Sequence, residues 1–187
     1  MKNQAKIKLI FGLGNPDPEF VQTRHNFGRD LIEKYLKEPK KRDNFVYSKF
    51  GRLNLAIGLT YMNESGKAVK AAIDFFKVKP EETLIISDEA DLPFLYLKFS
   101  FGRDPAGHKG VESIIKATRT KSFWRLRIGI QPKIRQKAEV MILKKLNKKE
   151  NEAWLLAKKR FKIILERFET RRVEQLNISQ KFFLIGE

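Results

Sequence analysis

Leu84-Ile85-Ile86-Ser87-Asp88 is the stretch whose reading decides the fold. Three consecutive apolar residues, two of them β-branched, do not alternate with polar ones. Such a run reads as a short strand buried on both faces, at the centre of a covered sheet. It stops at Ser87-Asp88, so an aspartate stands at the carboxyl end of the central strand. Ligands of open α/β sheets gather beyond such ends.

The segments on either side supply more strands and the helices to cover them. Lys6 to Phe11 predicts a first strand, stopped by Gly12-Leu13-Gly14-Asn15-Pro16. Pro18 can open a short helix, and Phe27, Leu31 and Tyr35, with Ile32 and Leu36, keep helical spacing up to Pro39. Lys40 to Asn44 reads as a basic loop. Phe45–Phe50 and Leu53–Leu59 predict a hairpin turning at Gly51-Arg52, the second strand alternating strictly and so burying one face. Val69, Ala72, Ile73 and Phe76 form a helical stripe, and Val111 to Ala117 another. Leu95, Leu97, Phe99 and Phe101 alternate, as do Trp124, Leu126, Ile128 and Ile130, with Arg125 and Arg127 on the opposite face. Lys148 to Phe168 predicts a basic amphipathic helix with Trp154, Phe161, Leu165 and Phe168 on its apolar side. Phe182 to Ile185 reads as a short strand or a docked tail. Strands and helices intermix without repeat or linker, so the expectation is an α/β class fold. It is a single domain over residues 1–187, a mixed central sheet flanked by helices on both faces.

Composition narrows the chemistry. There is no cysteine among the 187 residues, which removes disulfides, thiolate nucleophiles and cysteine–zinc sites. No stretch reaches membrane-spanning length and the start lacks a signal-peptide core, so the expected location is the cytoplasm. Lys and Arg number 39 against 22 Asp and Glu, a formal charge of +17. A charge of this size repels itself and fits a polyanionic partner, although a general lysine bias would produce it too.

The chain has two histidines, His25 and His108. His25 lies in the polar run Thr23-Arg24-His25-Asn26 and is the natural base near neutral pH; a surface histidine at a helix start is the plain alternative. Asp88 can hold a histidine in one tautomer and stabilise its protonated form, or can simply shape a turn. Gly12-Leu13-Gly14 is no dinucleotide loop, because the third glycine would fall at Asp17. The glycines instead let the backbone turn and aim Asn15 into a cleft. Asn15 and Asn63 can fix a carbonyl or steady an oxyanion, or each can be a cap. Ser65 lacks the Gly-x-Ser-x-Gly frame of a nucleophile elbow, which leaves water as the nucleophile. Arg125 and Arg127 can hold phosphate, and Phe20 and Tyr61 can stack on bases, unless they are core and surface.

Together these segments resemble bacterial-type peptidyl-tRNA hydrolase. Four blocks carry the resemblance: Gly12-Leu13-Gly14-Asn15-Pro16, Thr23-Arg24-His25-Asn26-Phe27-Gly28, Thr60-Tyr61-Met62-Asn63-Glu64-Ser65-Gly66-Lys67-Ala68-Val69 and Asp88-Glu89-Ala90-Asp91-Leu92-Pro93. Phe123 to Ile130 is a fifth, weaker one. The resemblance implies a monomeric esterase with no cofactor and no metal, acting on peptidyl-tRNA without a membrane or an obligate protein partner. It implies that His25 activates water with support from Asp88, and that Asn15 reads the peptide side. Asn63 would bind near the scissile ester and Met62 would line the cleft. Phe20 and Tyr61 would meet the tRNA 3′ end, and Arg127 the 5′ phosphate.

The stretch from Gly102 to Gly110 departs from the family pattern. Lys109 replaces a substrate-contacting asparagine and offers no acceptor. Pro105 and the missing glycines are expected to stiffen the loop. A second basic position falls at Ser100. Two other readings compete. One is a non-catalytic RNA-binding relative of the same fold. The other is a metal-dependent phosphoesterase using the acidic run Asp88 to Asp91.

Overall fold

The computed structural model describes residues 6–170 and 182–183. Its strands are β1 (Leu9–Gly12), β2 (Lys40–Lys41), β3 (Phe45–Phe50), β4 (Leu53–Gly58), β5 (Thr83–Pro93), β6 (Tyr96–Phe101), β7 (Trp124–Gln131) and β8 (Phe182–Phe183). The helices are α1 (Phe27–Glu33), α2 (Ser65–Phe76), α3 (Lys109–Thr118), α4 (Ala138–Met141) and α5 (Lys148–Thr170). One sheet runs in the order β2-β3-β4-β1-β5-β7-β6-β8. β4, β1, β5 and β7 are mutually parallel, and the remaining pairings are antiparallel. The mixed α/β sheet is the one expected from the sequence.

Each face of the sheet has its own core. Ile10, Leu84, Ile86, Leu126 and Ile128 pack with α1 and α5, while Leu9, Phe11, Ala56 and Ile85 pack with α2 and α3. α5 presents Trp154, Ala157, Phe161, Leu165 and Phe168 to the sheet, all at most 1% exposed. Burial of the leucine and phenylalanine side chains among them contributes roughly 1.5–3 kcal/mol apiece. Trp154 stacks on Phe27 of α1 with ring centroids 4.2 Å apart, which ties α5 to the segment that follows His25.

Four sequence expectations change. β4 is buried at all six positions rather than on one face. It lies between β3 and β1, and the small residues Ala56 and Gly58 on its second face admit α2. β5 does not stop at Asp88 but continues through the acidic run to Pro93, because β7 keeps pairing with it across a register shift between Glu89 and Pro93. α1 ends at Glu33, short of Leu36, and the chain turns with Glu38 at φ 45° before Pro39. Lys40–Lys41 then joins the sheet edge as β2 instead of remaining loop. Gly51-Arg52 turns the expected hairpin, with Phe50 opposite Leu53. Phe182–Phe183 pairs with β6; Leu184 and Ile185 lie outside the described residues.

β1, α1 and β5 meet where two glycines leave no room for a side chain. A Cβ on Gly12 would stand 2.2 Å from the Gly28 carbonyl oxygen, and one on Gly28 2.2 Å from that of Ile86. Backbone cannot retreat cheaply from such contacts. Gly28→Ala is therefore expected to destabilise the fold by about 3 kcal/mol. Thermal unfolding should report a fall in Tm of roughly 10 °C; an unchanged Tm would show that α1 can slide without cost.

Candidate active site

The carboxyl ends of parallel strands β1, β4 and β5 point to one rim of the sheet, and the loops after them build the site. After β1, Asn15 is 6% exposed and held at its backbone N–H, its carbonyl and its Oδ1. Its backbone N–H donates to Asn26 Oδ1 at 2.8 Å, and Asn26 Nδ2 donates back to the Asn15 carbonyl at 2.9 Å. Asn15 Oδ1 accepts from the Met62 N–H at 2.7 Å, which joins the loop after β1 to the loop after β4. Its Nδ2 remains to donate elsewhere.

His25 sits in the 3-10 turn Arg24–Asn26. Its N–H donates to the Ile142 carbonyl at 2.9 Å. The buried Arg24 reaches the Lys144 carbonyl at 3.2 Å and pairs with Glu150 at 2.5 Å. Sequence reasoning gave no role to Arg24 or Asn26. They hold the backbone on either side of the histidine, and only their place in the Thr-Arg-His-Asn block marks them.

Asp88, 3% exposed on β5, faces both histidines. Its Oδ1 lies 2.9 Å from His25 Nδ1 and 3.0 Å from His108 Nε2. The two imidazoles differ in what remains of them. His108 is the N-cap of α3, and its Nδ1 accepts from the Gly110 and Val111 N–H groups. An accepting Nδ1 carries no proton, so the proton sits on Nε2 and points at Asp88. Both His108 nitrogens are then committed. His25 gives only Nδ1 to Asp88 and keeps Nε2 for chemistry. The second histidine belongs to the site, which the sequence reading did not assign; the helical stripe starting just after it was the available cue.

The electrostatics agree with this geometry. Burial alone would lower the His25 pKa, but the charge and hydrogen bond of Asp88 outweigh it and hold the imidazole above its ordinary value. Burial alone would raise Asp88, yet His25 and His108 hold its carboxyl well below the usual carboxylate range. Asp88 is thus an anion at any pH where His25 titrates.

A cavity of about 380 Å³ opens over this pair, lined by His25, Asp88, His108, Lys109, Glu139 and Ile142 among others. Met62 is buried beside it, since a Cβ on Gly110 would meet Met62 Sδ and His108 Cε1 together. Asn63 and Tyr61 are exposed on the same loop, and Lys109 is exposed at the start of α3, 3.4 Å from Glu112. Phe20, partly exposed, ends the Pro18–Phe20 turn and is not among the residues lining the cavity. Arg127 is held by Glu89 at 3.0 Å. Arg125 is 1% exposed, and burial with the neighbouring Arg127 lowers its pKa to about 10. It donates to the Asp104 carbonyl at 3.1 Å, while Lys121 takes the Asp104 carboxylate at 2.9 Å. The Gly102–Gly107 loop is thereby anchored beside His108, with Ala106 at φ 49° where a glycine would be relaxed. Ser100 is a buried hydroxyl opposite Arg125, not a surface phosphate contact.

His25, Asp88 and His108 are also the described residues closest to a metal-ligand set, with ligand atoms within 4.8 Å of one another. Their spacing suits hydrogen bonds better. Nitrogens 2.9 and 3.0 Å from one oxygen are nearer than the roughly 3.3 Å between ligands of a tetrahedral zinc. The other carboxylates of the acidic run are engaged too, Glu89 by Arg127 and Asp91 by Arg135.

A buried carboxylate on β5 bonded to two imidazoles, one of which keeps a nitrogen uncommitted, is an arrangement that general acid–base hydrolysis can use. Comparison with known proteins narrows the class. Residues 9–182 match the family described as peptidyl-tRNA hydrolase. A peptidyl-tRNA hydrolase of Shewanella oneidensis is 41% identical over 160 residues, covering 79% of this chain and 82% of that one. One from Corynebacterium efficiens is 35% identical, covering 78% and 86%. The crystal structure of the Acinetobacter baumannii peptidyl-tRNA hydrolase superposes with a TM-score of 0.72 at 28% identity, over 90% of this chain and 97% of that one. The chain belongs to the peptidyl-tRNA hydrolase family.

Proposed function

We propose that this protein hydrolyses the ester bond joining a peptide to its tRNA, with His25 as the general base and water as the nucleophile. The observation that carries the reading is the bond from His25 Nδ1 to Asp88 Oδ1, which leaves Nε2 as the one uncommitted imidazole nitrogen of the pair of histidines.

In the proposed reaction, His25 Nε2 takes a proton from water as the oxygen attacks the ester carbonyl carbon. Asp88 stabilises the imidazolium that forms. The tetrahedral intermediate collapses by breaking the bond to the ribose oxygen, and His25 returns the proton to that oxygen. The products are tRNA with a free hydroxyl and a peptide carboxylic acid, which loses its remaining proton to solvent as a carboxylate. An ester has a better leaving group than an amide, so one base, an orienting carboxylate and amide donors suffice. Asn15, through its remaining Nδ2, is placed to read a peptide carbonyl. Asn63 serves the scissile ester and Met62 forms the cleft wall. Phe20 and Tyr61 are exposed or partly exposed rings for the 3′ end, and Lys109 is an exposed cation at the cavity edge, 3.4 Å from Glu112. Arg127 can meet the 5′ phosphate by exchanging Glu89 for it. The formal charge of +17 favours such a polyanion.

The reading includes a monomer working as a single domain in the cytoplasm, without cofactor or metal. No helix among the described residues is long and apolar enough to cross a membrane. The test is incubation with N-acetyl-aminoacyl-tRNA and with unblocked aminoacyl-tRNA, both in EDTA. Release from the blocked substrate alone is expected. Equal release from both would remove the peptide-reading role of Asn15, and loss of release in EDTA would revive the metal-dependent reading.

A further inference from the structure

Two side-chain bonds cross between the loop after β1 and the loop after β4. The inner one is Asn15 Oδ1 to the Met62 N–H, at 2.7 Å and buried. The outer one is the Tyr61 hydroxyl donating to Asp17 Oδ2, at 2.5 Å and exposed. Tyr61 is 49% exposed, so its ring has little packing to fix it. What holds it is this carboxylate, two residues beyond Asn15. A phenol bound to an anion resists ionising, and the Tyr61 pKa is raised chiefly by that hydrogen bond. The loop is itself tied to the Asn26 side chain through Asn15, next to the catalytic histidine.

Asp17 is out of place on electrostatic grounds. The chain carries +17 overall, yet the loop that carries Asn15 continues into Asp17 and Glu19. A carboxylate there repels a polyanion. An aspartate in that spot makes sense if what it does for Tyr61 outweighs the repulsion. An exposed aromatic ring is a stacking surface for an unpaired base or a ribose, and its value depends on being fixed before the ligand arrives.

We propose that Asp17 is a positioning residue: its bond to the Tyr61 hydroxyl, acting with the Asn15–Met62 bond beneath it, forms a two-rung clasp that presents the Tyr61 ring to the single-stranded 3′ end of the substrate. The proposal rests on the peptidyl-tRNA reading of the site. Asp17 touches no reacting atom and acts through Tyr61, so its loss is read in KM and not in kcat.

Positioning and charge have opposite signs here, which makes the proposal separable. Asp17→Ala removes both the acceptor and the charge; Asp17→Asn removes the charge and keeps an acceptor oxygen. With N-acetyl-aminoacyl-tRNA as substrate, Asp17→Ala and Tyr61→Phe are each expected to raise KM by about threefold to tenfold, the range for ordering one side chain on binding. In both, kcat should stay within about twofold, since no group in contact with the ester changes. The Asp17→Ala, Tyr61→Phe double variant should be no worse than either single, because both break the same bond. Asp17→Asn should have a KM at or below that of the wild type.

Thermal unfolding of each variant, run in parallel, shows whether a change in KM merely follows a loss of fold. A KM for Asp17→Ala at or below the wild-type value would overturn the proposal, since only charge would then be acting. Additive effects in the double variant, or a fall in kcat at constant KM, would overturn it as well. If the wild type releases nothing from the blocked substrate, it is the peptidyl-tRNA reading that fails, and the variants play no part in that result.

Discussion

His25→Ala is expected to lower kcat by about a thousandfold or more while leaving the fold intact. The expectation follows from what each nitrogen of the two histidines does. His108 Nδ1 is occupied by the amino end of α3 and its Nε2 by Asp88, so it cannot take over as base without uncapping the helix. No third histidine exists and there is no cysteine. The fold should survive because the structural work at position 25 is done by the backbone, through its bond to the Ile142 carbonyl, and by the neighbours Arg24 and Asn26. Circular dichroism and the thermal midpoint check the fold; single-turnover release checks the rate. A variant within about tenfold of wild type would mean that His25 is not the base, since positioned general bases contribute about a hundredfold to ten-thousandfold.

Asp88→Asn comes next in size, with an expected loss of about a hundredfold or more. The substitution separates charge from geometry unusually well, because both imidazoles bond to the same oxygen, Oδ1. An asparagine can keep that oxygen in place as an acceptor. What disappears is the negative charge that favours the imidazolium. In the wild type the pKa of His25 is raised above 6.5, so kcat/KM should rise with pH through a midpoint above that value as the base becomes neutral. Removing the carboxylate charge lowers the pKa, so the midpoint should move to lower pH while the plateau falls. A profile that keeps its midpoint would show that Asp88 does not act electrostatically on His25.

The sequence carried the skeleton of the fold where local pattern and final environment agree. β7 alternates apolar Leu126, Ile128 and Ile130 with Arg125 and Arg127, and it does so in the structure, with two different faces. The reading failed where pairing set the outcome. β4 shows a period of two yet is buried on both sides, because Ala56 and Gly58 are small enough to lie under α2 and so mimic an exposed face in a polarity pattern. The acidic residues Asp88 to Asp91 look like a loop, but β7 draws them into β5. The site divides in the same way. His25 stood out as a candidate by scarcity, and Asp88 by its place just after the apolar run Leu84–Ile86, although β5 itself continues to Pro93. His108 was not, because its importance lies in a tautomer fixed by the amino end of a helix, a property of tertiary geometry. Arg125 and Arg127 share one face of β7, yet their surroundings differ: Arg125 is buried against the Asp104 carbonyl, while Arg127 is partly exposed beside Glu89.

The most direct test of hydrolysis at this site is single-turnover release of N-acetyl-amino acid from N-acetyl-aminoacyl-tRNA by the wild-type protein, with tRNA binding followed in the same samples. Release that saturates as the tRNA becomes bound is the expected result. Binding of the tRNA with no release would contradict a catalytic role for the His25–Asp88 pair and leave the protein a binder of RNA on a hydrolase fold.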